Sequence, residues 1–304
     1  MSRNFNNFSL FITILAIVIL SGCISENEEI NESIANESLT GTGNEWKNES
    51  DGIRAATTIA PLARFVSAVG KDKVRVAVIT PPGAEPHTYE PAPSQMKGIA
   101  DADIYVMNGA GLEFWMEKAL LVNEDMLVVD SSKGVELLNE DGEHTDPHIW
   151  MSLKNAAIQV ENICNGLIQL DPENREYYLQ NRDDFLLEIS ALDKELNKTF
   201  AEKENKTFIV YHPAWSYFAR DYGLVQVPIM EEEKEPGPKY LAGLVDLARK
   251  NNITTIFVDP QFNPKAAEVI AQEMNATIVV LDPLAEDYLQ NMRITGEKIS
   301  KSLK

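Results

Sequence analysis

The sequence predicts an α/β protein of two lobes with mainly parallel sheets, joined by one long helix. Three observations carry this expectation. Short apolar runs without strict alternation, the pattern of strands buried on both faces, recur through residues 53–304. Helix-like segments alternate with them, as in sheets covered by helices on both sides. One further stretch, Pro172 to about Lys203, contains no internal Gly or Pro and repeats apolar residues at helical spacing. The 304 residues, 44% of them apolar, suffice for two domains at about 150 residues each.

In chain order, residues 8–20 read FSLFITILAIVIL, a core of signal-peptide length and too short for a comfortable membrane span. The run ends in Leu20-Ser21-Gly22-Cys23, which resembles a lipobox. In such a signal, cleavage precedes the Cys and the thiol is acylated; the other reading is an uncleaved anchor with an incidental Cys. Both place the rest of the chain outside the cytoplasm, at the membrane surface. Residues 1–22 are therefore read as the signal, and 23–52 as the lipidated Cys with a disordered acidic tether. That tether holds eight acids against one base, Lys47, and a single aromatic, Trp46, too little to offset its ordering entropy. Asn31, Asn36 and Asn48 each open an Asn-Glu-Ser triplet, either a glycosylation acceptor or a chance product of composition.

Strands are expected at Arg54–Ile59, Lys73–Ile79, Asp103–Met107 and Met126–Val129, with helices at Pro61–Val69, Leu112–Leu121 and Leu153–Leu170. Asp171-Pro172 is a good helix start, with Asp as cap and Pro in the first turn. The helix beginning there, with apolar residues at Leu179, Phe185, Leu186, Ile189, Leu192 and Leu196, spans about 45 Å if continuous; two shorter helices with an unmarked break are the alternative. Strands resume at Thr207–Tyr211, Val225–Ile229, Thr254–Val258 and Thr277–Leu281. Helices are expected at Trp215–Tyr222, Pro238–Asn251, Pro264–Asn275 and Glu286–Lys301. The lobes are thus 53–171 and 204–304, with 172–203 linking them.

Lys+Arg number 27 and Asp+Glu 47, a formal charge of −20, which disfavours nucleic acid and suits cations. Two cysteines, Cys23 and Cys164, exclude a disulfide framework, a Cys-rich zinc ribbon and an Fe–S cluster. Three of the four histidines touch a proline: Pro86-His87, Pro147-His148 and His212-Pro213. Proline restricts itself and the residue before it, which stiffens these loop positions. His87 follows a strand, while His212 and Asp282 end strands, at the carboxyl edge where α/β sheets bind ligands. His148 lies in a loop just ahead of a helix.

The runs GAEPHTYEP (83–91), TDPHIWMSLKNA (145–156), YHPAWSYFARDYGL (211–224), VDPQFNPKAAEVIA (258–271) and LDPLAED (281–287) resemble the metal-binding receptors of zinc/manganese ABC transporters, the cluster A-I or cluster 9 solute-binding proteins. The resemblance covers residues 53–304, with five motifs in order. It implies two α/β lobes on a rigid long helix, with one metal between them held by His87, His148, His212 and Asp282. Three imidazoles and one carboxylate make a good tetrahedral set for Zn²⁺ and also suit other first-row divalent metals. In the family a Glu at the third position accompanies manganese and a His zinc, so His212 points to Zn²⁺, with Mn²⁺ as the alternative. The resemblance further implies an ABC permease and its ATPase subunit as partners, a monomer, and a site on the outer face of the cytoplasmic membrane.

Some residues stay open. His144, beside Glu143 in NEDGEHTDPH, belongs to a solvated loop or to an accessory metal-collecting loop; zinc receptors of this type often carry more histidines there. Glu85 is an outer partner of His87 or merely exposed. Glu231-Glu232-Glu233 is a solvated loop or a surface that meets the permease. Asp259 stands where the family usually has Glu, and no role is carried onto it. A zinc-dependent hydrolase is the rival from another class, but four protein ligands leave no open position for water, and HExxH is absent. A metal-binding surface adhesin is the third reading.

Overall fold

The computed structural model describes residues 52–115, 123, 125–139, 145–230 and 237–303. Cys23, the tether, Glu143, His144 and Glu231–Glu233 lie outside them. Within the described residues two parallel four-stranded sheets form. The first has β1 (Ile53–Thr57), β2 (Val74–Val78), β3 (Ile104–Met107) and β4 (Leu127–Asp130) in the order β2-β1-β3-β4. The second has β5 (Thr207–Val210), β6 (Val225–Pro228), β7 (Thr255–Val258) and β8 (Thr277–Val280) in the order β6-β5-β7-β8. The same order recurs in both lobes. In each, the chain leaves the first strand for one neighbour and then returns to the other side of it. The crevice between first and third strands is therefore where side chains from two loops can meet.

The expected helices at Pro61–Val69 and Leu153–Leu170 are α1 (Ala60–Gly70) and α3 (Leu153–Leu170). Ser152 caps α3 by accepting from the Asn155 amide. A short helix, α2 (Pro93–Ala100), is not among the expected elements, because Pro91 ahead of it, Pro93 at its start and Gly98 within it mask its eight residues. Conversely, Leu112–Trp115 is turn rather than helix, and the rest of that expected helix is outside the described residues. Asp171 does not cap the long helix. Its carboxylate accepts from the Asn174 side-chain Nδ2 and the Tyr178 hydroxyl, and a 3-10 turn at Pro172–Asn174 precedes α4 (Arg175–Ala201).

α4 is one continuous helix of 27 residues. Tyr178, Asn181, Phe185, Ile189, Leu192, Leu196 and Phe200 fall three or four apart and form its single buried stripe. That stripe lies in a core shared by both lobes, with Phe65, Val66, Leu153 and Val160 on one side and Phe208, Phe218, Met292 and Ile299 on the other. The second lobe adds α5 (Ser216–Tyr222), α6 (Pro238–Lys250), α7 (Pro264–Met274) and α8 (Tyr288–Ser302). Helices α6 and α7 cover the outer face of its sheet over a separate cluster around Ile209, Ile256 and Val258.

Helix α8 returns to the first lobe. Its Tyr288 ring meets Phe65 edge-on at 4.7 Å, and its hydroxyl donates to the Trp150 carbonyl at 2.7 Å. The Trp150 indole donates in turn to the Pro283 carbonyl at 2.8 Å. Gly296 lets α8 approach α4, since a Cβ there would stand 2.3 Å from Leu196 Cδ2. Among the described residues no helix is long and apolar enough to cross a membrane.

Candidate metal centre

Three loops bring His87, His148 and His212 together. His87 sits beyond β2 in a proline-stiffened loop, where its own backbone N–H donates to Glu85 Oε1 at 3.1 Å. His212 follows β5 directly, and its ring stacks on Phe262 at 4.8 Å with 29° between planes. His148 follows Asp146-Pro147 and opens the 3-10 turn Ile149–Met151 that leads into α3. The Nε2 atoms of His87 and His148 are 2.9 Å apart, and those of His148 and His212 are 3.1 Å apart. One ligand atom from each ring lies within 4.8 Å of the others. Tetrahedral ligands at about 2.05 Å from a metal stand about 3.3 Å from one another, so a small outward shift of these rings admits a first-row cation.

The protonation state suits that chemistry. Asp146 Oδ1 lies 2.8 Å from both the His148 Nδ1 and its backbone nitrogen. A carboxylate there accepts a hydrogen bond from Nδ1–H, which fixes the ring and leaves the Nε2 lone pair facing the other two histidines. Burial alone would push the Asp146 carboxyl up, but the charge and hydrogen bonds of His148 outweigh it and hold it below the usual range. Burial, and then the neighbouring His148, lower His87 to about 3. Burial, with His148 and His87, holds His212 far below its usual value. These two rings are thus neutral donors at ordinary pH.

Asp282 stands apart from this group. It follows β8, and its Oδ1 accepts from Gln261 Nε2 at 3.0 Å and from the Leu284 amide at 2.9 Å. Gln261 lines the cavity in front of the histidines, together with Glu85 and Asp259. Glu85 Oε1 comes within 3.7 Å of His87 Nε2.

Behind His148 lies a buried polar network. Glu113 accepts from the Thr58 hydroxyl, from the Asn108 amide at 2.6 Å and from the Gly109 amide at 3.0 Å. The Asn108 side chain then donates to the Pro147 carbonyl at 2.8 Å. From the other lobe, the Tyr217 hydroxyl donates to the Asp146 carbonyl at 2.8 Å. The DPH loop is therefore clamped from both sides. Sequence reasoning missed Asp146, Asn108 and Glu113. For Asp146 the signal was present, since an Asp two residues before a His across a proline can reach both the backbone and the ring of that His.

A family model described as the zinc-uptake complex component A, periplasmic (ZnuA), matches residues 56–302. The chain belongs to this family. The receptor is 32% identical to the high-affinity zinc uptake system protein ZnuA of Bacillus subtilis (strain 168), over 78% of the chain and 80% of that protein. It is 28% identical to the manganese ABC transporter substrate-binding lipoprotein PsaA of Streptococcus pneumoniae, over 86% of the chain and 92% of that protein. A crystal structure of a ZnuA superposes with a TM-score of 0.81 at 40% identity, covering 83% of the chain and 99% of the other. The receptor is thus a metal-binding substrate-binding protein of an ABC transporter, from a family of extracytoplasmic, non-enzymatic binding proteins. The hydrolase reading falls with that membership.

Proposed function

We propose that the receptor captures Zn²⁺ in preference to Mn²⁺ and delivers it to the permease of an ABC importer. His87, His148 and His212 supply three imidazole nitrogens. Asp282 supplies a fourth donor once its carboxylate exchanges Gln261 for the cation. The observation that carries this reading is the convergence of three Nε2 atoms, two of them on rings held neutral by burial. Borderline nitrogen donors favour zinc, and the usual affinity order for divalent ions places zinc above manganese. The relatives' names divide between the two metals, and it is the donor set that supports zinc. Metal-free receptor titrated with both ions should bind one equivalent of zinc, which manganese does not displace at equal concentration. His212→Ala should weaken zinc binding by at least a hundredfold. Two tight sites, or manganese winning the competition, would overturn the reading.

The receptor works as a monomer, held at the outer face of the cytoplasmic membrane by a lipid on Cys23, with residues 24–52 as the tether. Cys23→Ser should free the protein from membranes without altering zinc affinity. A mutant that survives a carbonate wash in the membrane fraction would instead indicate an uncleaved anchor.

A further inference from the structure

Asp259 follows β7, at the crevice between the first and third strands of the second sheet, beside the loop that carries His212. Its residue is 1% exposed, and among the described residues neither carboxylate oxygen has a hydrogen-bond partner. The Trp215 indole N–H is near enough to favour the ionised form, yet it reaches hydrogen-bond geometry with neither oxygen. Among the described residues no Lys or Arg lines the cavity that Asp259 shares with the histidines. A buried carboxylate left in this condition costs several kcal/mol unless a cation or donors reach it.

In the metal-free receptor the other two acids nearby already accept hydrogen bonds, and among the described residues Asp259 does not. Glu85 accepts from the His87 amide, and Asp282 accepts from Gln261 and Leu284. Three imidazole nitrogens bring no charge to a divalent ion and the Asp282 carboxylate balances only one of its two charges, so a low-dielectric site gains from a second anion. Burial, and then Glu85 and Asp282, raise the Asp259 carboxyl well above the usual range, which agrees with a group that lacks its counter-charge.

We infer that Asp259 is the anionic partner of the captured divalent cation, entering its immediate surroundings and setting how tightly it is held. This rests on the ligand reading above and adds a residue that the histidine motifs leave without a role. The metal-free state tolerates a destabilising group that the cargo then satisfies. Removing the charge should therefore weaken binding without weakening the fold, the opposite of what a structural aspartate does.

The test uses the full-length receptor, stripped of metal. Zinc affinity is measured by competition with a chelating indicator, Co²⁺ coordination by visible absorption, and metal-free stability by thermal melting. Asp259→Asn should lower zinc affinity about tenfold to a hundredfold. It should alter the Co²⁺ bands and melt no lower than the parent. Asp259→Glu, which keeps the charge, should recover most of the affinity. Binding within twofold of the parent in Asp259→Asn, while His212→Ala loses zinc, would overturn this inference and leave the ligand reading standing. A lower melting temperature in Asp259→Asn with no recovery in Asp259→Glu would also overturn it, as the mark of a structural role. Unchanged zinc binding in His212→Ala would overturn the ligand reading itself, and this inference with it.

Discussion

The two lobes repeat one strand order, and each buries a carboxylate after its third strand, but they furnish those carboxylates differently. In the first lobe Glu113 collects the Thr58 hydroxyl and two backbone amides, and the Asn108 it holds reaches on to the Pro147 carbonyl. In the second lobe Asp259 is as deeply buried and has no hydrogen-bonded donor among the described residues. Burial alone therefore does not tell a brace from a binding group; the count of committed donors does. The first lobe contributes a rigid wall that fixes His148. The second contributes His212 beside a carboxyl group that no donor reaches among the described residues.

The sharpest way to break this comparison is to remove the brace. Glu113→Ala leaves the buried Asn108 and Gly109 amides without their acceptor and the Thr58 hydroxyl with Tyr105 alone among the described residues. At about 1–3 kcal/mol for each orphaned group, metal-free stability should fall by about 2 kcal/mol or more. Denaturant unfolding of Glu113→Ala beside Asp259→Asn measures the contrast. Equal losses in the two variants would show that both carboxylates serve the fold alike.

A smaller effect sharpens the comparison through pH. His87 is lowered from 6.5 to about 3, so the unfolded chain takes up its proton first, and metal-free stability falls as pH drops below 6.5. His212 acts in the same direction. Glu113 is raised from 4.5 to about 7 by burial, against the pull of its donors. Its protonation favours the folded form, and that contribution is lost as pH climbs from 4.5 towards 7. Asp259 is raised as well and has the same sign. Between pH 4.5 and 6.5 the histidines and the carboxyls therefore oppose each other and flatten the profile. Glu113→Gln should steepen it by about 1.4 kcal/mol per pH unit, read from unfolding curves taken across that window. A slope unchanged from the parent would show that Glu113 titrates alike in both states.

Much of the architecture was legible because it rests on local patterns. The β-rich runs and the helical stretch from Leu153 to Leu170 follow from short-range periodicity, and α3 has those bounds. The buried stripe of α4 coincides with the apolar spacing through Phe185, Ile189, Leu192 and Leu196. Position at strand ends and in proline-stiffened loops put His87, His148, His212 and Asp282 in one group, and the family resemblance made them a ligand set; the three imidazoles do meet, while Asp282 stands apart on Gln261. What escaped depends on groups far apart in the chain. Thr58, the Asn108–Glu113 loop and Pro147 form one network from three separate segments, and nothing local in any of them announces the others. The engagement of Asp282 by Gln261 is of the same kind, since it depends on how two loops of the second lobe settle against each other.

The return of α8 to the first lobe has a consequence for how the chain must be made. Tyr288 completes the surroundings of Phe65 and of the Trp150 carbonyl, although both belong to the first half of the molecule. Until the final helix has been synthesised, that apolar surface has nothing to cover it and is open to aggregation or to chaperones. A chain stopped or clipped ahead of residue 288 would carry every histidine of the site, yet quality-control proteases would find the gap on its opposite lobe.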